Sequence, residues 1–359
     1  MVRWRRLTSV AGLATGIAVA SAGAVIAAEK IAVGRIRLQP DPAANEPLGQ
    51  LRGRSVTVIA DDGVPLHAEI SGPDDAPVTV VFCHGYALSQ EVWHYQRQDL
   101  AADLRLVLWD QRSHGRSGRS DPEHVSIDQL GADLAAVIAA TAPGPGPVVL
   151  VGHSMGGMTI MALAHLRPEL FGTKVIGVML ISTAAHLVDA AAWLPPPLRP
   201  VARWVGPTLL RGSARGRRAA MTERLRQSGG DLAFLSTRYI AFADPDVSPA
   251  VVDFLERVIR ATPISVVADF YLALVEHDKR IALGTVGKVP TVVCTGEADR
   301  LIPAEQSAAL AAAIPGANLV LVPEAGHVVI LERPEIVTEE ISDLVALALD
   351  RAATRRRPA

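Results

Sequence analysis

Seven short runs of β-branched and aliphatic residues punctuate this chain of 359 residues, and helical spacing fills most of the intervals between them. The runs are Val56–Ala60, Val78–His84, Leu104–Asp110, Pro147–His153, Val175–Thr183, Pro290–Gly296 and Asn318–Glu324. Most are apolar at every position, the pattern of strands covered on both faces. Ser126 stands as N-cap to a helical pattern through Thr141, and Ala304–Ile314 and Glu335–Ala352 carry further helices. Strand and helix alternating over this length predict an α/β domain with a doubly wound, mostly parallel sheet.

The rhythm lapses in three places. Residues 184–284 show no clear strand, contain "PPPLRP" at Pro195–Pro200, and otherwise read as helices and loops. Lying between two strands, this block is expected to be a cap inserted over one edge of the sheet. Within it, eight arginines stand against one acid, Glu223, between Arg199 and Arg226. That is the pattern of a solvated helix face, or of a face for anionic lipid. At the other end, residues 1–30 carry no charge from Leu7 to Ala28, 22 positions, which suffices for a bilayer crossing of about 20 residues. Arg3, Arg5 and Arg6 precede that run, so the expectation is a single-pass anchor in the cell membrane with the remaining chain outside the cytoplasm. Ala-x-Ala steps in the run leave secretion after signal cleavage as the alternative. Residues 31–53 read as a proline-rich polar linker, 54–350 as the domain, and 351–359 as a basic frayed tail.

A hydrophobic share of 49% with 20% charged residues is the balance of a folded domain, not of a disordered chain. The net charge of -2 gives no pull toward nucleic acid, which is not expected as a partner. Neither zinc-ligand spacing nor a GxxxxGK[ST] loop occurs, so no metal site or phosphate cradle is expected. Cys83 and Cys294 sit inside apolar runs and read as small buried hydrophobes. Oligomeric state is not legible.

The chemistry-bearing feature is "VVLVGHSMGGM", where Gly152, Ser154 and Gly156 form a G-x-S-x-G turn between a strand run and a helical pattern. A sharp strand-to-helix turn strains its middle residue and leaves no room on either side, hence the glycines. The hydroxyl then projects past the strand end, beside a helix N-terminus whose free N–H groups favour developing negative charge. Such a hydroxyl needs a base, and the base needs an orienting acid. "TVVCTGEADRLIP" offers Asp299 after one later strand, and "NLVLVPEAGHVVILERPE" offers His327 after the next. All three follow the C-terminal ends of strands, the edge where parallel sheets carry their sites.

With "HGY" at His84–Tyr86 and "WDQRSHGRS" at Trp109–Ser117, the chain resembles the α/β-hydrolase superfamily, in its esterase/lipase-like branch with an inserted cap, over roughly Arg54 to Ala348. The resemblance implies an eight-stranded sheet under a helical cap. It implies Ser154 as nucleophile, His327 as its base and Asp299 as the acid orienting that base, ahead of the rivals Asp189 and Asp278. The backbone amides of Met155 and Tyr86 would form the oxyanion hole, and no cofactor is implied. A small hydrophobic ester or lipid is the substrate class implied. A cofactor-free perhydrolase or haloperoxidase, or a hydrolase of carbon–carbon bonds, would use the same residues, and a non-catalytic binding protein is the reading from another class. Of the remaining residues, His153 reads as structural, and His84 and His114 as braces for their loops. Asp110 and Arg112 are expected to pair, and Ser113 replaces a glycine common at that position in the family.

Overall fold

The computed structural model describes residues 30–186 and 230–356. All seven expected strands form, as β1 (Arg54–Ile59), β3 (Thr79–Cys83), β4 (Arg105–Trp109), β5 (Val148–His153), β6 (Val175–Ile181), β7 (Thr291–Gly296) and β8 (Asn318–Val322). An eighth, β2 (Pro65–Ser71), joins them; His67 and Glu69 interrupt its apolar residues and hid it from the pattern. The strands lie in the order β1-β2-β4-β3-β5-β6-β7-β8. β2 runs antiparallel to both β1 and β4, and every other pairing is parallel.

Helices cover both faces. The longer ones are α1 (His94–Leu100), α2 (Ile127–Thr141), α3 (Met155–Leu166), α4 (Gly230–Ala241), α5 (Pro249–Ala261), α6 (Ile264–Val275), α7 (Ala304–Ala313) and α8 (Pro334–Arg356). Successive strand residues point to opposite sides, so each run supplies two cores. Val81, Cys83, Leu150 and Leu180 pack with Leu130 and Leu134 of α2 and Ile160 of α3. Val80, Phe82, Val151 and Ile181 pack with Leu100 of α1 and with Ile341 and Leu344 of α8. Cys83 and Cys294 fall on opposite faces as free buried thiols, and burial pushes each up to about 12. The expected cap of α2 is present, with the Gln129 amide donating to Ser126 Oγ at 3.1 Å.

The described part of the 184–284 insertion is helical, comprising α4, α5 and α6 between β6 and β7. Its arginine-rich stretch and the apolar run of residues 7–28 lie outside the described residues. Among the described residues no single helix is long and apolar enough to cross a membrane. Residues 31–53 depart from the expected linker. They begin in helical turns over 30–37 and bury Val33, Ala43 and Leu48, whose apolar side chains give an otherwise polar stretch something to dock with. Of the basic tail, residues 351–356 continue α8.

Among the charges that lie inside this frame is one on the antiparallel strand β2. Glu69 on β2 accepts from Arg97 Nη2 at 2.7 Å and from the Gly53 amide at 2.9 Å, and Arg116 closes the third side. Burial alone would raise its pKa, but these donors hold it down at about 2, below the 4.5 of a free glutamate. A carboxylate depressed in this way stabilises the fold above its unfolded pKa and loses that contribution as pH falls through the folded value. Glu69→Gln is expected to cost about 3 kcal/mol at pH 7, because it leaves Arg97 buried without its charge partner. It should also remove part of the stability loss that wild type shows between pH 4.5 and about 2. Urea denaturation at several pH values checks both, and a glutamine variant as stable as wild type at pH 7 would refute the assignment.

Candidate active site

β3 lies between β4 and β5 although it precedes both, so the crossovers on its two sides leave in opposite directions. A crevice opens there beyond the C-terminal ends of the strands. Two histidines fasten the loops that border it. The Gln111 amide donates to His84 Nε2 at 2.9 Å, so the ring proton sits on Nδ1, which donates to the Gly85 carbonyl at 2.8 Å. By the same logic His114 Nε2 accepts from the Ala87 amide at 3.3 Å, and Nδ1 donates to the Arg112 carbonyl at 2.9 Å. Both rings are uncharged: burial pushes His84 down to about 4 and His114 to about 3, the latter helped by His84. Gln111 ties the group to the helix, accepting from Thr159 Oγ1 on α3 at 2.7 Å.

The expected pair Asp110–Arg112 does not form. Arg112 turns away to the buried Asp133, at 2.6 and 2.7 Å, and to Asp62 at 2.7 Å. Asp110 instead accepts the amides of Gln90 at 2.8 Å and Arg116 at 2.9 Å. An arginine two positions from an acid reaches more distant carboxylates as easily as the near one. Ser113 adopts the left-handed conformation that a glycine would supply, with φ 65°, and its Oγ accepts from the Ser120 amide at 2.9 Å.

Ser154 occupies the turn between β5 and α3 with φ 53° and ψ -118°, a conformation that side chains rarely adopt. The turn is over-determined around it. A Cβ at Gly156 would stand 2.0 Å from the Cys83 carbonyl oxygen, and one at Gly152 would stand 2.5 Å from the Gly156 oxygen. The Ser154 amide donates to Ile181 O at 2.8 Å, and Thr183 Oγ1 donates to the Ser154 carbonyl at 2.8 Å. The amides of Tyr86 and Met155, in contrast, donate no hydrogen bond among the described residues. The Tyr86 hydroxyl reaches across to the Val267 carbonyl on α6.

His327 Nδ1 donates to Asp299 Oδ2 at 2.9 Å. The other oxygen of Asp299 accepts the amides of Leu301 at 2.8 Å and Ile302 at 2.9 Å, which fixes the carboxylate's plane. Of the rival acids, Asp278 is exposed and paired with Arg280, and Asp189 lies outside the described residues. Glu332 is a member of this site that the motifs did not single out. Its buried carboxylate accepts from the Gly326 amide at 2.6 Å and from the amides of Ala243 at 2.7 Å and Asp244 at 2.6 Å, tying the His327 turn to the end of α4. An acid inside the apolar run "HVVILERPE" was its visible signal. His165 is exposed at the end of α3, and His186 forms an isolated bridge with Asp278, so neither borders the site.

Ser154 and His327 line one cavity of about 320 Å³, together with Gly85, Tyr86, His153 and a wall of apolar side chains that includes Leu88, Met158, Ile240 and Leu255. Among the described residues no Asp, Glu, Lys or Arg lines it. Residues 80–340 match the model of the alpha/beta hydrolase family. The chain belongs to that family. Over 124 residues it is 34% identical to the lipase LipV of Mycobacterium tuberculosis, covering 34% of this chain and 44% of the lipase. Over 101 residues it is 40% identical to the bifunctional esterase/perhydrolase DCH of Acinetobacter calcoaceticus, covering 28% of this chain and 35% of that one. The chain thus spans less than half the length of these curated relatives. The fold is shared with a thermophilic esterase from Thermogutta terrifontis at a TM-score of 0.65 and 24% identity, over 82% of this chain and 98% of the esterase.

Within this alpha/beta hydrolase, His153 has a place that the sequence did not indicate. It does not merely fill space near the sheet: Nε2 donates to the His327 carbonyl at 2.9 Å, and the two rings lie 5.0 Å apart. Burial, followed by the neighbouring His327, pushes the His153 imidazole down to about 3. Below about pH 6.5 the unfolded chain takes up this proton and the folded chain does not, so stability falls with pH from there toward 3. His153→Phe should cost about 1–3 kcal/mol at pH 7, because the buried His327 carbonyl loses its donor. It should also flatten the dependence of unfolding free energy on pH near pH 5 by about 1.4 kcal/mol per pH unit. Chemical denaturation from pH 4.5 to 7.5 measures both, and an unchanged slope would mean that His153 is charged in the folded protein.

Proposed function

We propose that the chain is a serine hydrolase of carboxylic esters that works through a covalent acyl-enzyme. The observation carrying this reading is that Ser154 and His327 border one apolar cavity while Asp299 holds the far nitrogen of His327. His327 Nε2 takes the hydroxyl proton as Ser154 Oγ bonds to the acyl carbon. The carbonyl oxygen becomes an oxyanion, met by the uncommitted amides of Met155 and Tyr86. The imidazolium returns its proton to the departing alcohol as the C–O bond breaks, with Asp299 stabilising its charge throughout. A water molecule then repeats the attack, its proton passing to His327 and on to Ser154 as the carboxylic acid leaves. The uncharged lining favours small hydrophobic esters or lipid esters as substrates.

Because the similar protein from Acinetobacter calcoaceticus is named both esterase and perhydrolase, a second outcome for the same acyl-enzyme is in view. Hydrogen peroxide attacking in place of water would release a peracid. Peracid formation from ester and peroxide that vanishes in Ser154→Ala would report it.

A fluorophosphonate probe tests the main reading. It should label folded wild type at Ser154 and fail to label Ser154→Ala or heat-denatured protein. Asp299→Asn should lower kcat on p-nitrophenyl butyrate by about 10³–10⁴-fold, since the asparagine favours the wrong imidazole tautomer. Folded wild type that neither labels nor hydrolyses short esters would overturn the reading in favour of a non-catalytic binding protein.

A further inference from the structure

Residues 30–53 are fastened at both ends, and what they fasten is the wall of the cavity. At the body end, the Gly53 amide donates to Glu69 at 2.9 Å, Arg97 donates to the Leu51 carbonyl at 3.1 Å, and Arg52 pairs with Glu91 at 3.3 Å. At the cap end, the Arg37 guanidinium lies 5.3 Å from the Phe234 ring centroid of α4 and pairs with Asp253 of α5 at 3.2 Å. Between these points Val33 and Leu48 share one buried cluster with Phe234, Phe254 and Leu255. The contact with α5 is close: a Cβ at Gly49 would stand 2.7 Å from the Phe254 ring.

The decisive contact is at the first turn of α5. Ser248 holds the N-cap position of α5, yet its side chain makes no capping bond to the helix. Its hydroxyl donates instead to Asp41 Oδ1, while Asp41 Oδ2 accepts the Ala250 amide at 3.1 Å. A carboxylate more than two hundred residues away in sequence thus caps α5 and sits where the helix dipole favours negative charge. The same helix presents Leu255 and Ile259 to the cavity, and α4 presents Ile240.

We propose that residues 30–53 form a strap that sets the position of the cavity's outer wall, with Asp41 as the positioning residue that determines how long an acyl group is accepted. This rests on the ester-hydrolase reading for its kinetic consequence, though not for its structural one. Short acyl groups reach only the floor near Ser154 and are indifferent to the strap. Longer ones lie along Leu255 and Ile259 and depend on it.

The test uses the full chain as wild type, Asp41→Ala and Asp41→Asn. Kinetics are measured on p-nitrophenyl acetate and octanoate, and hydrogen exchange is followed over residues 249–261. Asp41→Ala is expected to raise KM for octanoate about tenfold, leave acetate turnover within twofold, and speed exchange in the first turns of α5. Asp41→Asn, which keeps an acceptor, should recover part of each effect. Equal losses on both esters, or no change on either, would overturn the proposal. Should wild type prove inert toward esters and the fluorophosphonate probe, the hydrolase reading fails alone, and exchange still decides the strap: faster exchange in Asp41→Ala supports it and unchanged exchange refutes it.

Discussion

No side chain fits between Gly156 and the carbonyl oxygen of Cys83. Much of the crevice follows from that approach. It presses the first turn of α3 against the end of β3, so the chain must reverse within one residue after β5. Ser154 is that residue, and the cost of its φ of 53° is borne by the sheet register on both sides. A strained conformation persists only where its surroundings over-determine it. Here the surroundings are two parallel strands, a helix and the bonds to Ile181 and Thr183.

Around this turn the fold separates two ways of handling buried polar groups. Carboxylates inside it are paired or fully hydrogen-bonded: Glu69 with Arg97 and Arg116, Asp133 with Arg112, Glu332 with three amides. His84 and His114 are kept neutral and used as connectors, each joining two loops through one donor and one acceptor. An uncharged connector adds no field of its own to the crevice.

What the sequence made legible follows from locality. The fully buried strands show themselves because a continuous apolar run of five to seven residues between turns suits little except a strand covered on both faces. Ser154 shows itself because it follows such a run directly, and Asp299 and His327 because they stand in the turns after β7 and β8. β2 was hidden because it carries an inward glutamate, Glu69, whose compensation, Arg97 and Arg116, lies far along the chain. The partner of Arg112 was misread for the same reason, since adjacency in sequence competes poorly with a carboxylate brought in from α2. The docking of residues 30–53 left almost no trace: three apolar side chains and one aspartate act on helices two hundred residues later, which proline and polar composition conceal.

The two thiols have a further consequence. Cys83 and Cys294 occupy opposite sides of one sheet, are protonated by a wide margin, and are sealed from solvent. They cannot reach one another, and a thiol without thiolate character reacts slowly with disulfides or oxidants. The folded domain is therefore indifferent to redox poise. It holds the same covalent state in a reducing cytoplasm and in an oxidising exterior, and crossing from one to the other demands no rearrangement of its bonds.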